Sequence, residues 1–317
     1  MRMLEEQKLL TKIASLYYEE GLKQSQISEQ LDLSQSFISR SLNRALKEGI
    51  VKISVHRPVH FHIDLERQLQ EQYEIRQVLV VEPTGAGDDA LKQAIGSAAA
   101  HYFETTVTEK DKIGISSWSS TIRAMIDHMH RSRQKGAAEV VQLLGGVGNK
   151  GAFEATLLTQ RLATLLNCPS YLLPSQSIEQ SVDSRLRILQ LDDVREVVDR
   201  FSALTVALVG IGELEPSPLL RNSGNYHSQS MLKTLADRGA VGDICLRYYD
   251  ASGAPVLEDN EEVVVSVNLQ QLHKIDRVVG LAGGERKLNA IRGALCGKYL
   301  DVLITDLTTA KALAAQP

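Results

Sequence analysis

Four clusters of small and hydroxyl-bearing residues recur along this chain, each directly after a short apolar run. They are Ser116-Ser117-Trp118-Ser119-Ser120-Thr121, Gly145-Gly146-Val147-Gly148-Asn149-Lys150, Gly210-Ile211-Gly212 and Ala282-Gly283-Gly284-Glu285-Arg286-Lys287. Glycines let a backbone approach a ligand closely, and hydroxyls supply adaptable donors. Where a helix follows, its first N–H groups and positive dipole end suit an anion such as a phosphate. Lys287 could neutralise the same charge. Asp243, after Ala240-Val241-Gly242, offers either a carboxylate for the hydroxyls of a ligand or a turn aspartate bonded to its own backbone. Gln176, in Pro174-Ser175-Gln176-Ser177, is a similar candidate. The expected ligand set is Ser117, Ser119, Ser120, Thr121, Gly145, Gly146, Gly148, Gln176, Gly212, Asp243, Gly283, Gly284 and Lys287.

A second chemistry is written near the start. Between Leu33 and Lys47 there are three basic residues and no acidic one. Gln35, Ser36, Ser39, Arg40, Asn43, Arg44 and Lys47 fall on one face at helical spacing. Amides can pair with adenine edges, arginine with guanine or phosphate, and serine with phosphate. Ser34 is placed to cap that helix. Gln24 and Ser25 open a preceding short helix, which Ser25 could cap, and Asp32-Leu33-Ser34 is a tight connection. Two short helices in this arrangement make a helix-turn-helix. Leu9, Leu10, Ile13, Leu16 and Tyr17 predict a helix before it. Phe37 or Ile38, then Leu42, Ala45 and Leu46, would bury the third helix. Ile50–Val55 alternates like a strand and would be a wing. The DNA-contacting set is then Gln24, Ser25, Ser34, Gln35, Ser36, Ser39, Arg40, Asn43 and Arg44; the plainer alternative is a small bundle with a solvated face.

These residues need a scaffold. Beyond the link His56–His62 and a helical stretch Asp64–Tyr73, strands and helices alternate. Expected strands are Gln77–Glu82, Lys112–Ser116, Glu139–Leu144, Ala203–Gly210, Gly242–Tyr249, Val263–Val267, Arg277–Leu281 and Val302–Thr305. Expected helices are Asp88–Thr105, Ser120–Arg133, Gly151–Leu166, Gln229–Asp237, Arg286–Leu295 and Leu307–Ala315. Alternation of this kind predicts an α/β domain with a mostly parallel sheet. Ligands bind such sheets at the carboxyl ends of the strands, where the four clusters fall. The division expected is residues 1–56 for the helical reader and 57–317 for the α/β domain.

Composition bounds the rest. The 317 residues are 43% hydrophobic, enough for two cored domains, and the net charge of −4 argues against a polyanion-coating protein. Basic charge is instead concentrated in residues 33–47. Cys168, Cys245 and Cys296 form no CxxC pair, so neither a disulfide framework nor a zinc site is expected. His56, His60 and His62 lack a cysteine or carboxylate partner and read as a polar link rather than a metal site. Gly85-Ala86-Gly87-Asp88-Asp89 lacks the lysine of a phosphate-binding P-loop. The first residues reach Glu5 and Glu6 at once, unlike a signal peptide, and no apolar run reaches the ~20 residues of a membrane helix. A cytoplasmic protein with no membrane partner and no cofactor is expected.

From Ile13-Ala14-Ser15-Leu16-Tyr17-Tyr18 through Leu22–Leu42 to Gly49-Ile50-Val51, the chain resembles SorC-family transcriptional regulators. Later blocks follow in the family's order: Gly145-Gly146-Val147-Gly148, Val209-Gly210-Ile211-Gly212, Ala240–Cys245, Ala282-Gly283-Gly284 with Lys287, and Gly293–Tyr299. Asp32 stands where the family usually has a turn glycine, Gln35 where an arginine is frequent, and Ser119 where the family has glycine after tryptophan. The resemblance implies a winged helix-turn-helix and a Rossmann-like effector domain of the phosphosugar-isomerase type. It also implies operator DNA and a sugar or sugar phosphate as partners, with self-association into dimers or tetramers. The rival is a sugar-phosphate isomerase carrying an accessory DNA-binding domain, on the same fold. Isomerisation needs a placed acid/base pair. Asp243 and Glu285 are the only obvious carboxylates near the inferred site, and neither has an evident His or Lys partner, so no turnover is expected.

Overall fold

The computed structural model describes residues 2–51, 61–146, 152–216, 220–221 and 226–315, with side chains at 2–5 and 152–155 left aside. The chain divides into two compact units, Met1–Val59 and His60–Pro317.

In the first unit, helices α1 (Arg2–Tyr18), α2 (Gln24–Leu31) and α3 (Gln35–Lys47) enclose a small core of Ile13, Leu16, Ile27, Ile38 and Leu42. Three residues join α2 to α3. Asp32 takes the left-handed conformation there, with φ of 52°. Asp is one of the few side chains that does so cheaply. Ser34 caps α3, its hydroxyl accepting the Phe37 N–H at 3.3 Å. Ser25 is not a cap: α2 starts one residue earlier, with Lys23 at the cap position. The Gln26 side chain reaches back to the Lys23 N–H at 2.9 Å. Of the two candidates Phe37 and Ile38, Ile38 takes the core and Phe37 stays exposed. Leu46, expected in the core, is also exposed. Ile50 and Val51 are not in a strand, and the rest of the expected wing lies outside the described residues.

The second unit is built on seven parallel strands: β1 (Gln77–Val81), β2 (Lys112–Ile115), β3 (Glu139–Gln142), β4 (Ser170–Tyr171), β5 (Val206–Gly210), β9 (Arg277–Leu281) and β10 (Val302–Asp306), in the spatial order β1-β10-β9-β5-β2-β3-β4. Strands β6 (Gly212–Glu213), β7 (Ala240–Ile244) and β8 (Arg247–Asp250) form a separate antiparallel sheet.

Side-chain alternation feeds two cores. Val78, Val141, Ala207, Val209, Val278 and Leu303 point to one face, which is covered by α4 (Ile63–Tyr73) and the helices Leu288–Cys296 and Leu307–Ala314. Ile113, Ile115, Val140, Leu208, Val279 and Ile304 point to the other. That face is covered by α5 (Asp88–Thr106), α6 (Ser120–His128) and α7 (Ala152–Leu165). Strands buried on both faces read as continuous apolar runs, which is why the sequence showed them clearly. Order reverses between β2 and β5. The chain winds outward through β3 and β4 on one side and through β9 and β10 on the other, so the crevice above this pair is the topological switch point.

Helix α4 seals the β1 edge. Gln70 Oε1 accepts the Val78 N–H at 3.3 Å, and Glu66 Oε1 accepts the Val80 N–H at 2.9 Å. Those outward N–H groups would otherwise invite another strand.

Several expected elements differ. Gly242–Tyr249 is not one strand but the hairpin β7–β8, because Cys245 and Leu246 both take positive φ, 54° and 62°. Two successive left-handed residues form the tight reversal that suits a two-residue hairpin. Val263–Val267 is no regular strand; only Val264 and Ser266 make isolated bridges, to Ile178 and Leu144. The helix expected to run to Arg133 stops at His128. Glu285–Lys287 is a 3₁₀ turn, so the helix expected from Arg286 starts at Leu288 and Lys287 sits at its cap. Helices α8 (Val182–Ile188) and α9 (Asp192–Asp199) were not anticipated.

Candidate functional site

A cavity opens at the switch point. Its walls come from the residues after β2, the β5–β6 link, the β7–β8 hairpin and Lys287. The sequence after β2 turns directly into α6, and Ser119 makes that turn: its hydroxyl accepts the Ile122 N–H at 3.2 Å. Ser119, Ser120 and Thr121 therefore face the cavity at a helix N-terminus. Opposite them Gly210, Ile211 and Gly212 carry the chain from β5 into β6.

Asp243 and Lys287 supply the charge. Asp243 is buried on β7, and its Oδ2 accepts the Leu246 N–H at 2.8 Å. Gly212 is its cross-strand partner. A Cβ on Gly212 would fall on the Asp243 carboxylate, so the carboxylate occupies the space that only glycine leaves. Burial pushes the Asp243 carboxyl up to about 6, against the opposing pull of the Leu246 N–H and the Lys287 charge. Lys287, half-buried, donates to the Ile211 carbonyl at 2.7 Å. Desolvation lowers its pKa, and Asp243, Glu213 and Asp88 oppose that shift. Ser116 hydrogen-bonds the buried Cys245 thiol, which burial pushes up to about 12, so that sulfur is a wall and not a nucleophile.

The cavity thus brings together Ser119, Ser120, Thr121, Gly212, Asp243 and Lys287 from four separate stretches of sequence. Other expected residues serve its frame. The Ser117 hydroxyl bonds Thr159 Oγ1 at 2.8 Å in the core beneath. The Gly145 carbonyl accepts the Trp118 indole N–H at 3.3 Å and the Ser177 hydroxyl, and its Cα lies against the Gln176 backbone. Gly146 donates to the Ser175 carbonyl at 2.9 Å. Gln176 is not a lining residue. The Gly284 N–H is shared between Asp306 Oδ1 and Thr309 Oγ1, and Gly283 packs against the same carboxylate. Gly148 lies outside the described residues. Trp118, Glu213, Tyr226, Leu246 and Tyr248 line the cavity but were not anticipated. Tyr248 pairs with Asp243 across the hairpin, a neighbour invisible if β7 and β8 are read as one strand.

A buried carboxyl near neutrality, a desolvated ammonium, several hydroxyls and a helix N-terminus together suit a polyhydroxylated, anionic small molecule.

The first unit presents a second candidate surface. Gln35, Ser36, Arg40, Asn43 and Arg44 are exposed along α3, Ser34 and Ser25 are exposed nearby, and Ser39 and Gln24 are half-buried. Arg40 Nε donates to its own helix at Ser36 O, 3.2 Å. Arg44 is held differently: Nε meets Glu48 and Nη1 meets Glu6, each at 2.6 Å. His62, from the set dismissed as metal ligands, pairs with Glu82 at 3.0 Å. No metal-binding cluster and no helix long and apolar enough to cross a membrane occurs among the described residues.

Fold and cavity define a two-domain protein with a helical N-terminal unit and a doubly wound α/β ligand-binding domain. The family described as "Putative sugar-binding domain" matches residues 57–315. The sorbitol operon regulator of Klebsiella pneumoniae is 30% identical, covering 96% of this chain and 97% of its own. The deoxyribonucleoside regulator of Bacillus subtilis is 31% identical, covering 98% of each. The crystal structure of full-length SorC from K. pneumoniae superposes with a TM-score of 0.73 at 28% identity, over 97% of this chain and 98% of its own. A domain of the same description, from the transcriptional regulator DeoR of Pseudomonas syringae pv. tomato, is 57% identical over 80% of this chain and 98% of its own, with a TM-score of 0.64. The chain belongs to the SorC family of sugar-binding transcriptional regulators, and it is a regulator rather than an enzyme.

Proposed function

We propose that this protein controls a carbohydrate catabolic operon through an N-terminal winged helix-turn-helix, under the control of a phosphorylated sugar. The cavity carries the effector half of this reading: Lys287 and the α6 N-terminus flank Asp243 at one switch-point crevice. Phosphate would take the ammonium and the helix end, and sugar hydroxyls would take Asp243 and the Ser119–Thr121 edge. The fold is the phosphosugar-isomerase type, used here for recognition. Ser117, Gly145, Gly146, Gln176, Gly283 and Gly284 would frame the site.

The basic face of α3 supports the DNA half. Gln35, Ser36, Ser39, Arg40, Asn43 and Arg44 would enter a major groove, with Gln24, Ser25 and Ser34 at the flanking phosphates. One such helix reads few base pairs, so the protein would act as a dimer or tetramer on paired half-sites in the cytoplasm. The effector would bind one of two assemblies better and shift the population between them.

A thermal-shift screen of the full chain against sugar phosphates tests this. A ligand bound only by the folded state raises apparent stability by RT ln(1 + [L]/Kd). The expected hit is phosphorylated, and its free sugar is weaker. Stabilisation by no member of the panel would count against the reading.

A further inference from the structure

Arg44 is the one basic residue of α3 seen in ion pairs among the described side chains. Glu6, on α1, holds Nη1, and Glu48, the residue ending α3, holds Nε, each at 2.6 Å. Both carboxylates raise the stability of the guanidinium charge. All three side chains stand at the surface. Arg40, one turn earlier on the same face, contacts only its own helix among the bonds described. The face whose sequence carries +3 is thus partly neutralised where it ends.

We infer that Glu6 and Glu48 form an intramolecular clamp that holds Arg44 away from DNA, so that a phosphate must displace two carboxylates to engage it. This rests on the reading of α3 as the DNA-contacting helix. Two consequences follow from ordinary electrostatics. Each exposed pair costs a competing phosphate only roughly a factor of two, so the clamp tunes affinity and does not abolish it. It also acts as a built-in counterion: an arginine already neutralised by protein releases fewer ions when it meets DNA. Releasing the clamp should therefore tighten binding at low salt and steepen its salt dependence.

The test is a double-mutant cycle on the full chain, read by fluorescence anisotropy on a duplex selected from a random-sequence pool by the wild-type protein. Glu6→Gln and Glu48→Gln keep shape while removing charge, and thermal unfolding confirms that each variant is folded. The double variant is expected to bind about two- to tenfold more tightly at low salt, with the log–log salt slope more negative by up to roughly one. Removing any acid near DNA also lowers general repulsion, so the cycle is completed in an Arg44→Ala background. Loss of the gain there supports the clamp. An equal gain with and without Arg44 overturns it, as does no gain in either background. If Arg44→Ala and Arg40→Ala leave binding untouched, the reading of the α3 face itself fails, which is a separate result.

Discussion

Gly212 and Asp243 face each other across the β6–β7 pair, and the carboxylate fills the volume a side chain at 212 would need. The loop leaving β5 is thereby tied to the hairpin that carries the site's only described buried carboxylate. Gly212→Ala must push Asp243 from its place. Overpacking of this kind costs about 1–3 kcal/mol. The expected outcome is a folded protein with lower Tm and at least tenfold weaker effector binding, measured by calorimetric titration. Retained affinity would mean that Asp243 does not touch the ligand.

The raised Asp243 pKa gives a stability signature. The folded state holds a proton to about 6, whereas an exposed aspartate releases it near 3.8. Between those values the native state binds more protons than the unfolded one, so this group's contribution falls as pH rises through the window and is level above it. At pH 7 the ionised group costs roughly 2–3 kcal/mol. Asp243→Asn keeps the acceptor for the Leu246 N–H and removes the charge. It should be more stable than wild type at pH 7, lose the decline between pH 4 and 6 in Tm, and bind effector less well. Such opposition of stability and binding is expected where a buried charge is kept for function.

Lys287 donates to the Ile211 carbonyl at 2.7 Å. A phosphate there would compete with that carbonyl and free the β5–β6 link. Lys287→Ala should weaken a sugar phosphate tenfold or more while leaving the affinity for the free sugar, and for DNA, nearly unchanged. Equal losses for sugar and sugar phosphate would move the phosphate elsewhere in the cavity.

On α3 the expectations separate reading from folding. Arg40→Ala should weaken DNA binding several-fold and leave effector binding intact, as read by anisotropy and calorimetry on the same preparation. Ser34→Ala removes the cap bond to Phe37 as well as the proposed phosphate contact, so it should cost about 1 kcal/mol of stability, lowering the Tm of the small N-terminal unit, and weaken DNA binding too, whereas Arg40→Ala should leave that Tm nearly unchanged.

What the sequence showed and what it hid follow one physical division. The central strands were legible because burial on both faces leaves unbroken apolar runs, and α3 because its cap and basic face are local patterns. The residues that complete the cavity were hidden by long-range geometry. Tyr248 is five residues from Asp243 along the chain but opposite it in space, and only the left-handed pair Cys245–Leu246, non-glycine residues carrying no turn signature, puts it there. The glycines at 145, 212 and 283 all follow strands, yet what fills the space beside each differs: the Gln176 backbone at 145, the Asp243 carboxylate of the cavity wall at 212 and the Asp306 carboxylate at 283. Composition does not distinguish a glycine beside the cavity from one that only admits a neighbouring chain.

Trp118 is the chain's single tryptophan, buried in the cavity wall with its N–H on Gly145. Its fluorescence therefore reports occupancy without a label. The most direct test of the central claim titrates the sugar phosphate found by thermal shift into the full chain, following Trp118 emission, and measures DNA affinity at zero and saturating effector. The account predicts a saturable Trp118 response and a change in DNA Kd of about 5- to 150-fold, with both moved to at least tenfold higher effector concentration in Lys287→Ala. A saturable response with an unchanged DNA Kd would contradict it, since the cavity would then bind a sugar without governing the reader.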